Sequence, residues 1–178
     1  MTLSFSVFAK REQVWVAIAA VIAAFLLYGN SIHGAFVYDD QPTIALHDQL
    51  RSVTNIPHLF FEPFLFNQPR AGLYRPLTAV SYTVNYMFGE SPVGFHILNI
   101  LLHAANTFLV WFLCGRLFGT KCLAYAAAAC FMVLAIHTEA VANIVGRAEL
   151  LALFFSLLAL FYGHAQRYGW SALWFLLA

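Results

Sequence analysis

Apolar residues run almost unbroken from about Val14 to His33, and again over about 95–114, 122–136, 150–163 and 170–178. Continuous apolar runs approaching the roughly 20 residues a bilayer requires predict membrane-crossing helices. The third and fourth runs are short, so they are expected to extend into polar residues at their outer ends or to bury those ends in protein. Lys10 and Arg11 precede the first run as they would in a signal peptide, but no small-x-small cleavage site follows cleanly and four more runs come later. An uncleaved helix is the better reading.

Between the first two runs, residues 34–92 are too many for a connector and too aromatic for a solvated linker. The stretches "IPHLFFEPFLF" and "LTAVSYTVNYMF" are of a length that suits helices lying along the membrane surface. Such helices are expected near Ile56 to Phe66 and Pro76 to Phe88, joined by "NQPRAGLYRP". A second outer loop spans residues 137–149. The pattern therefore predicts an all-α integral membrane protein with about five transmembrane helices and a long outer loop carrying two membrane-surface helices. The chain stops at "WSALWFLLA", inside an apolar run, which suggests the N-terminal part of a longer protein.

Composition agrees with the pattern. Hydrophobic residues make up 62% of the chain and charged residues 10%, against about 25% charged in a soluble domain. The formal net charge of +1 and the absence of a basic run argue against a nucleic-acid partner. Lys10, Arg11, Arg116, Lys121 and Arg167 fall on one side if the helices alternate, and that side should be cytoplasmic. The N-terminus is then cytoplasmic and both outer loops are periplasmic or lumenal. Cys114, Cys122 and Cys130 form no CxxC pair and read as small apolar side chains.

Against this background the polar residues stand out. "FVYDD" at 36–40 places adjacent carboxylates at the mouth of the first helix, where desolvating both would be costly. They either sit in water as topological markers or do chemistry at the membrane face. In the second run His96, Asn99, His103 and Asn106 fall within about 80° on a helix, so this stripe must face protein or a wet cavity. Hydrogen bonding between helices accounts for it as well as a cavity does. Metal ligation is disfavoured because no carboxylate shares the stripe. In "IHTEAVANIVGRAELL", Glu139, Asn143 and Arg147 are spaced to share one face of a short amphipathic helix. That face carries either an internal ion pair or a polar edge turned toward the cavity of Asp39, Asp40 and the His96 stripe, with Arg147 free to hold a phosphate. Arg75 precedes Pro76, which disfavours helical geometry at Arg75 and can fix where its guanidinium points. "GRLFG" at 115–119 reads as a turn, and "AYAAAAC" at 124–130 as a surface for close helix packing.

Taken together, "FVYDD", "YRPLTAVSYTVNY", "FHILNILLHAANT" and "HTEAVANIVGRAELL" resemble the N-terminal membrane region of the transmembrane and tetratricopeptide-repeat-containing (TMTC) family. These are protein O-mannosyltransferases of the GT-C glycosyltransferase fold, with bacterial relatives of similar architecture. The resemblance covers about Phe36 to Tyr162 and implies a partial GT-C module, with tetratricopeptide repeats expected downstream. It also implies a polyprenyl-phosphate sugar, mannose in this family, entering from the bilayer as co-substrate, and an acceptor protein glycosylated on Ser or Thr. Carried over residue by residue, one of Asp39 and Asp40 is the catalytic carboxylate and Glu139 a second acidic group. Arg147 and Arg75 are phosphate contacts, and His137 lies in the same motif. His96, Asn99 and His103 complete the expected substrate-binding set. Leu134 and Ala135 stand where the family usually has His-Pro, and His47 where it usually has Asn.

The implied chemistry suits these residue types. A positioned carboxylate that takes a hydroxyl proton contributes about 10² to 10⁴ in rate. A departing phosphate is stabilised by arginine. Attack opposite the phosphate inverts the anomeric carbon and requires no divalent metal or other cofactor, and the 178-residue chain alone is expected to be inactive. The competing class is a non-catalytic membrane scaffold or transporter fragment, although no second half with paired broken helices is visible.

Overall fold

The computed structural model describes residues 8–64 and 72–178, and all regular structure among them is helical. The first helix, α1, is Lys10–Tyr28, prolonged by a 3-10 turn at Gly29–His33. The longest is α4, Pro92–Phe118, followed by α5 (Lys121–Val133), α6 (His137–Ala142), α7 (Arg147–His164) and α8 (Tyr168–Leu177). Local chemistry sets both ends of α4. The Ser91 hydroxyl accepts from the Val93 N–H at 3.4 Å, Pro92 opens the first turn, and Gly119 closes the helix at φ 66°. Only glycine takes that left-handed geometry without steric cost. Residues 115–118 are therefore helical, and the turn expected across "GRLFG" is confined to its last glycine.

Helix α4 is the axis of the bundle, in contact with α1, α5 and α7. Small residues permit these contacts. Ala20 and Ala24 of α1 and Ala104 of α4 are buried together, while Ala124 and Ala128 of α5 pack near Trp111. In lipid such close approach replaces the hydrophobic drive available in water. The polar stripe on α4 is wholly inside, with His96, Asn99, His103 and Asn106 at most 2% exposed. Asn106 donates to the Leu150 carbonyl at 2.9 Å, and a His103 ring nitrogen lies 3.4 Å from the Met132 carbonyl. Much of the stripe thus ties α4 to its neighbours.

Among the described residues, three segments are long and apolar enough to cross a membrane: Lys10–His33, Pro92–Phe118 and Ile144–His164. The 13 residues of α5 rise about 20 Å, short of the roughly 30 Å hydrocarbon layer, and α8 has only 10 residues. Of the five expected spans, three are matched among the described residues by helices of spanning length, whereas α5 and α8 are shorter. Helix α5 ends without a proline, because Leu134 turns to extended geometry (ψ 119°).

A compact layer caps the bundle at the start of α4. A π-turn at Gln41–Ala45 and short 3-10 turns lead to α2, Ile56–Leu59, and α3 covers Pro76–Tyr86. The surface helix expected to Phe66 is cut to a single turn. Pro63 lacks the N–H that a continuing helix needs, and residues 65–71 lie outside the described residues. Ile44, Leu50, Leu59, Phe64, Tyr82 and Phe95 form a separate core that seats this layer on the start of α4. Phe36 joins it edge-on to Phe95 at 5.3 Å, which anchors the acidic stretch that follows.

Candidate functional site

Phe36 fixes the chain just before the acidic pair, and Tyr38 then turns it at φ 45°. For a bulky residue this is an uncommon, strained conformation. The two carboxylates that follow sit in different surroundings. Asp40 is completely buried: its Oδ1 accepts from the Val145 N–H at 2.7 Å and its Oδ2 from the Val37 N–H at 3.2 Å. Burial pushes its pKa above the usual carboxylate range, and the backbone N–H groups oppose that shift. Asp39 is exposed and lines a cavity of about 460 Å³.

The cavity is bounded by the segment between α1 and α3, α6 and the beginning of α7, and Asp39, Arg75, Glu139, Asn143 and Glu149 supply its polar wall. Arg75, with φ −141° and ψ 61°, lies outside helical geometry immediately before α3, as the following proline requires. Its guanidinium stacks over Phe64 at 5.5 Å and meets Glu149 at 3.4 Å. A cation, an amide and three carboxylates thus share one water-accessible wall. Among the described residues no three His, Cys, Asp or Glu side chains converge closely enough to hold a metal ion.

What gives the wall its shape is the turn between α6 and α7. Glu139, Asn143 and Arg147 do not share a helical face, because α6 stops at Ala142 and Asn143 is extended (ψ 128°). The expected amphipathic helix is broken by tertiary hydrogen bonds. Asn99 donates to the carbonyls of Asn143 at 3.0 Å and Ile144 at 3.3 Å, and the Tyr82 hydroxyl donates to Ile144 at 3.2 Å. Burial pushes the Tyr82 phenol up and keeps it a donor. Asp40 takes the next N–H, from Val145. A Cβ on Gly146 would stand 2.5 Å from the Ala140 carbonyl oxygen, so only glycine lets the turn close on α6.

Arg147 is 0% exposed and does not reach the cavity. Its Nε donates to Asn99 Oδ1 at 2.9 Å, and its Nη2 to Asn85 Oδ1 at 3.0 Å and to the Phe95 carbonyl at 2.9 Å. Its Nη1 faces Ser81, and the guanidinium lies 4.7 Å from the Tyr82 ring centroid. The side chain therefore clasps α3, α4 and α7 together, and the expectation of a free phosphate-holding arginine at this position is corrected. Desolvation and the need to satisfy a buried guanidinium draw it inward.

The remaining candidates divide. Asp39, Glu139 and Arg75 come together at the cavity, and Asn143 joins them. His96 lines a different cavity of about 370 Å³, with Gly34 and Thr138. His137 packs on Phe131 at 4.3 Å and near His103 at 5.2 Å, and burial pushes its imidazole down. Asn99 serves as a scaffold through its bonds to Arg147 and the 143–144 carbonyls. Glu149 was not anticipated. The signal lay in the spacing: two residues turn a helix by about 200°, so a buried Arg147 places Glu149 outward.

Relatives extend these observations. The chain is 39% identical over 153 residues to protein O-mannosyl-transferase tmtc2 of Xenopus laevis, covering 82% of this chain and 18% of that protein. It is 36% identical over 132 residues to protein O-mannosyl-transferase Tmtc1 of Drosophila melanogaster, covering 71% of this chain and 15% of the relative. With protein O-mannosyl-transferase TMTC4 of Mus musculus it shares 33% identity over 173 residues, 86% of this chain and 23% of the relative. The chain spans about a fifth of the length of these relatives. No protein-family model and no solved structure matches it. Over the region it shares with these relatives, the chain belongs to the TMTC family.

Proposed function

We propose that the chain forms the donor-side part of a GT-C-type protein O-mannosyltransferase. In this reading a polyprenyl-phosphate mannose enters from the bilayer, and a Ser or Thr hydroxyl of an acceptor protein attacks the anomeric carbon with inversion. Asp39 takes the hydroxyl proton, Arg75 holds the departing phosphate, and Glu139 orients the acceptor or sugar hydroxyls. Asp40 and Arg147 hold the turn that positions these groups. No metal or other cofactor enters the step. The observation that carries the reading is Asp39, open to a polar cavity whose wall also supplies Arg75. That the relatives are named protein O-mannosyl-transferases supports the choice of sugar and acceptor.

The test is transfer of labelled mannose from polyprenyl-phosphate mannose to an acceptor protein by the purified full-length protein that carries this chain, in nanodiscs. Signal above a protein-free control supports the reading, whereas transport of a solute without transfer favours the other class. The same reading places Glu139 on the periplasmic or lumenal side and Arg116 on the cytoplasmic side. Single cysteines at 139 and 116, in a background without native cysteines, should react with a membrane-impermeant reagent from opposite sides. Labelling of 116 alone from the outer side reverses the topology. Asn67, a natural third probe, lies outside the described residues.

A further inference from the structure

A second cavity, of about 420 Å³, adjoins the first and, among the described residues, shares with it Arg75 and Glu149 alone. Its walls differ in kind. Leu77, Leu151, Ala152, Leu176 and Leu177 make it largely apolar, against the carboxylate-rich first cavity. The two shared side chains face each other at 3.4 Å, with side-chain exposures of 36% and 57%. The first residues of α3, an 11-residue helix with no side chain capping its N-terminus, line the apolar side next to Arg75. Free N–H groups and the positive end of a helix dipole favour an anion there.

We propose that the Arg75–Glu149 ion pair is a displaceable partition between the two cavities, opened by a lipid-borne phosphate. The phosphate takes Arg75 from Glu149 and lies against the start of α3. Its apolar chain runs along the second cavity, and the group it carries enters the first. Glu149 is then a built-in competitor that occupies Arg75 when no phosphate is present. This deepens the proposed function and rests on it. The interaction to be broken is a part-exposed pair, which is weak, so a phosphate can displace it.

The competitor role predicts a sign that a contact role does not. With the purified protein in nanodiscs, geranyl phosphate is titrated and its Kd compared with that of inorganic phosphate. Glu149→Gln, which keeps shape and removes charge, should tighten geranyl phosphate about two- to fivefold, and added salt should shrink the gain. Arg75→Gln should weaken binding in either background, and inorganic phosphate should bind more weakly than the geranyl ester throughout. Thermal unfolding of each variant reports folding separately. Unchanged or weaker geranyl phosphate binding in folded Glu149→Gln overturns the partition, and equal affinity for inorganic phosphate removes the apolar cavity's part in it. Either result beside normal mannose transfer leaves the proposed function standing. Absence of both geranyl phosphate binding and transfer defeats the function itself.

Discussion

Asp39→Asn is expected to lower mannose transfer by at least about 10², or about 2.7 kcal/mol of barrier, with no change in folding. The amide keeps the carboxylate's shape and removes its basicity. Asp39 is exposed in the cavity, so the substitution breaks no buried contact. Its loss should therefore fall on kcat rather than on expression or thermal stability. The measurement is single-turnover transfer from polyprenyl-phosphate mannose by the full-length protein that carries this chain, with unfolding of the same preparation followed in parallel. If Asp39 only marked the outer side of the membrane, the neutral variant would transfer at the wild-type rate.

Arg147→Met should instead cost stability, at least about 3 kcal/mol. The methionine fills similar space but leaves Asn85 Oδ1 and Asn99 Oδ1 facing it in a buried site, and each orphaned acceptor costs about 1–3 kcal/mol. The Ser81 and Phe95 carbonyls lose a donor as well. Arg147→Lys should recover only part of this, because a single ammonium cannot reproduce the planar fork that reaches Asn85 and Asn99 at once. Thermal or denaturant unfolding in nanodiscs checks the order wild type, Lys, Met. A phosphate-holding arginine would give a different pattern, with unchanged stability and weakened donor binding.

These two residues show what was legible in the sequence. Apolar runs announced the long helices, because continuous hydrophobicity leaves few alternatives to a membrane span. The spacing of His96, Asn99, His103 and Asn106 announced a buried stripe, and all four are inside. The Arg75-Pro76 order announced a non-helical arginine, which φ −141° bears out. Tertiary bonds that override helical periodicity were invisible. The face drawn through Glu139, Asn143 and Arg147 assumed one helix, whereas bonds from Asn99, Tyr82 and Asp40 break it at 143–145. The different burial of Asp39 and Asp40 was equally out of reach, since nothing in the sequence distinguishes two adjacent carboxylates and only the tertiary partners of Asp40 do. Glu149 was overlooked because its role follows only once Arg147 is known to point inward.

The central claim is that adjacent carboxylates do different work: Asp39 takes a proton, while Asp40 holds the 143–146 turn. Its most direct measurement sets Asp39→Asn beside Asp40→Asn and records transfer rate and unfolding on the same two preparations. For Asp39→Asn the expected result is a rate at least about 10² lower at wild-type stability. For Asp40→Asn it is a loss of stability, on the order of 1–3 kcal/mol, because an amide nitrogen would replace one acceptor facing the Val37 or Val145 N–H. The contradicting result is wild-type transfer by Asp39→Asn, or an Asp40→Asn protein that folds as the wild type does and has lost transfer.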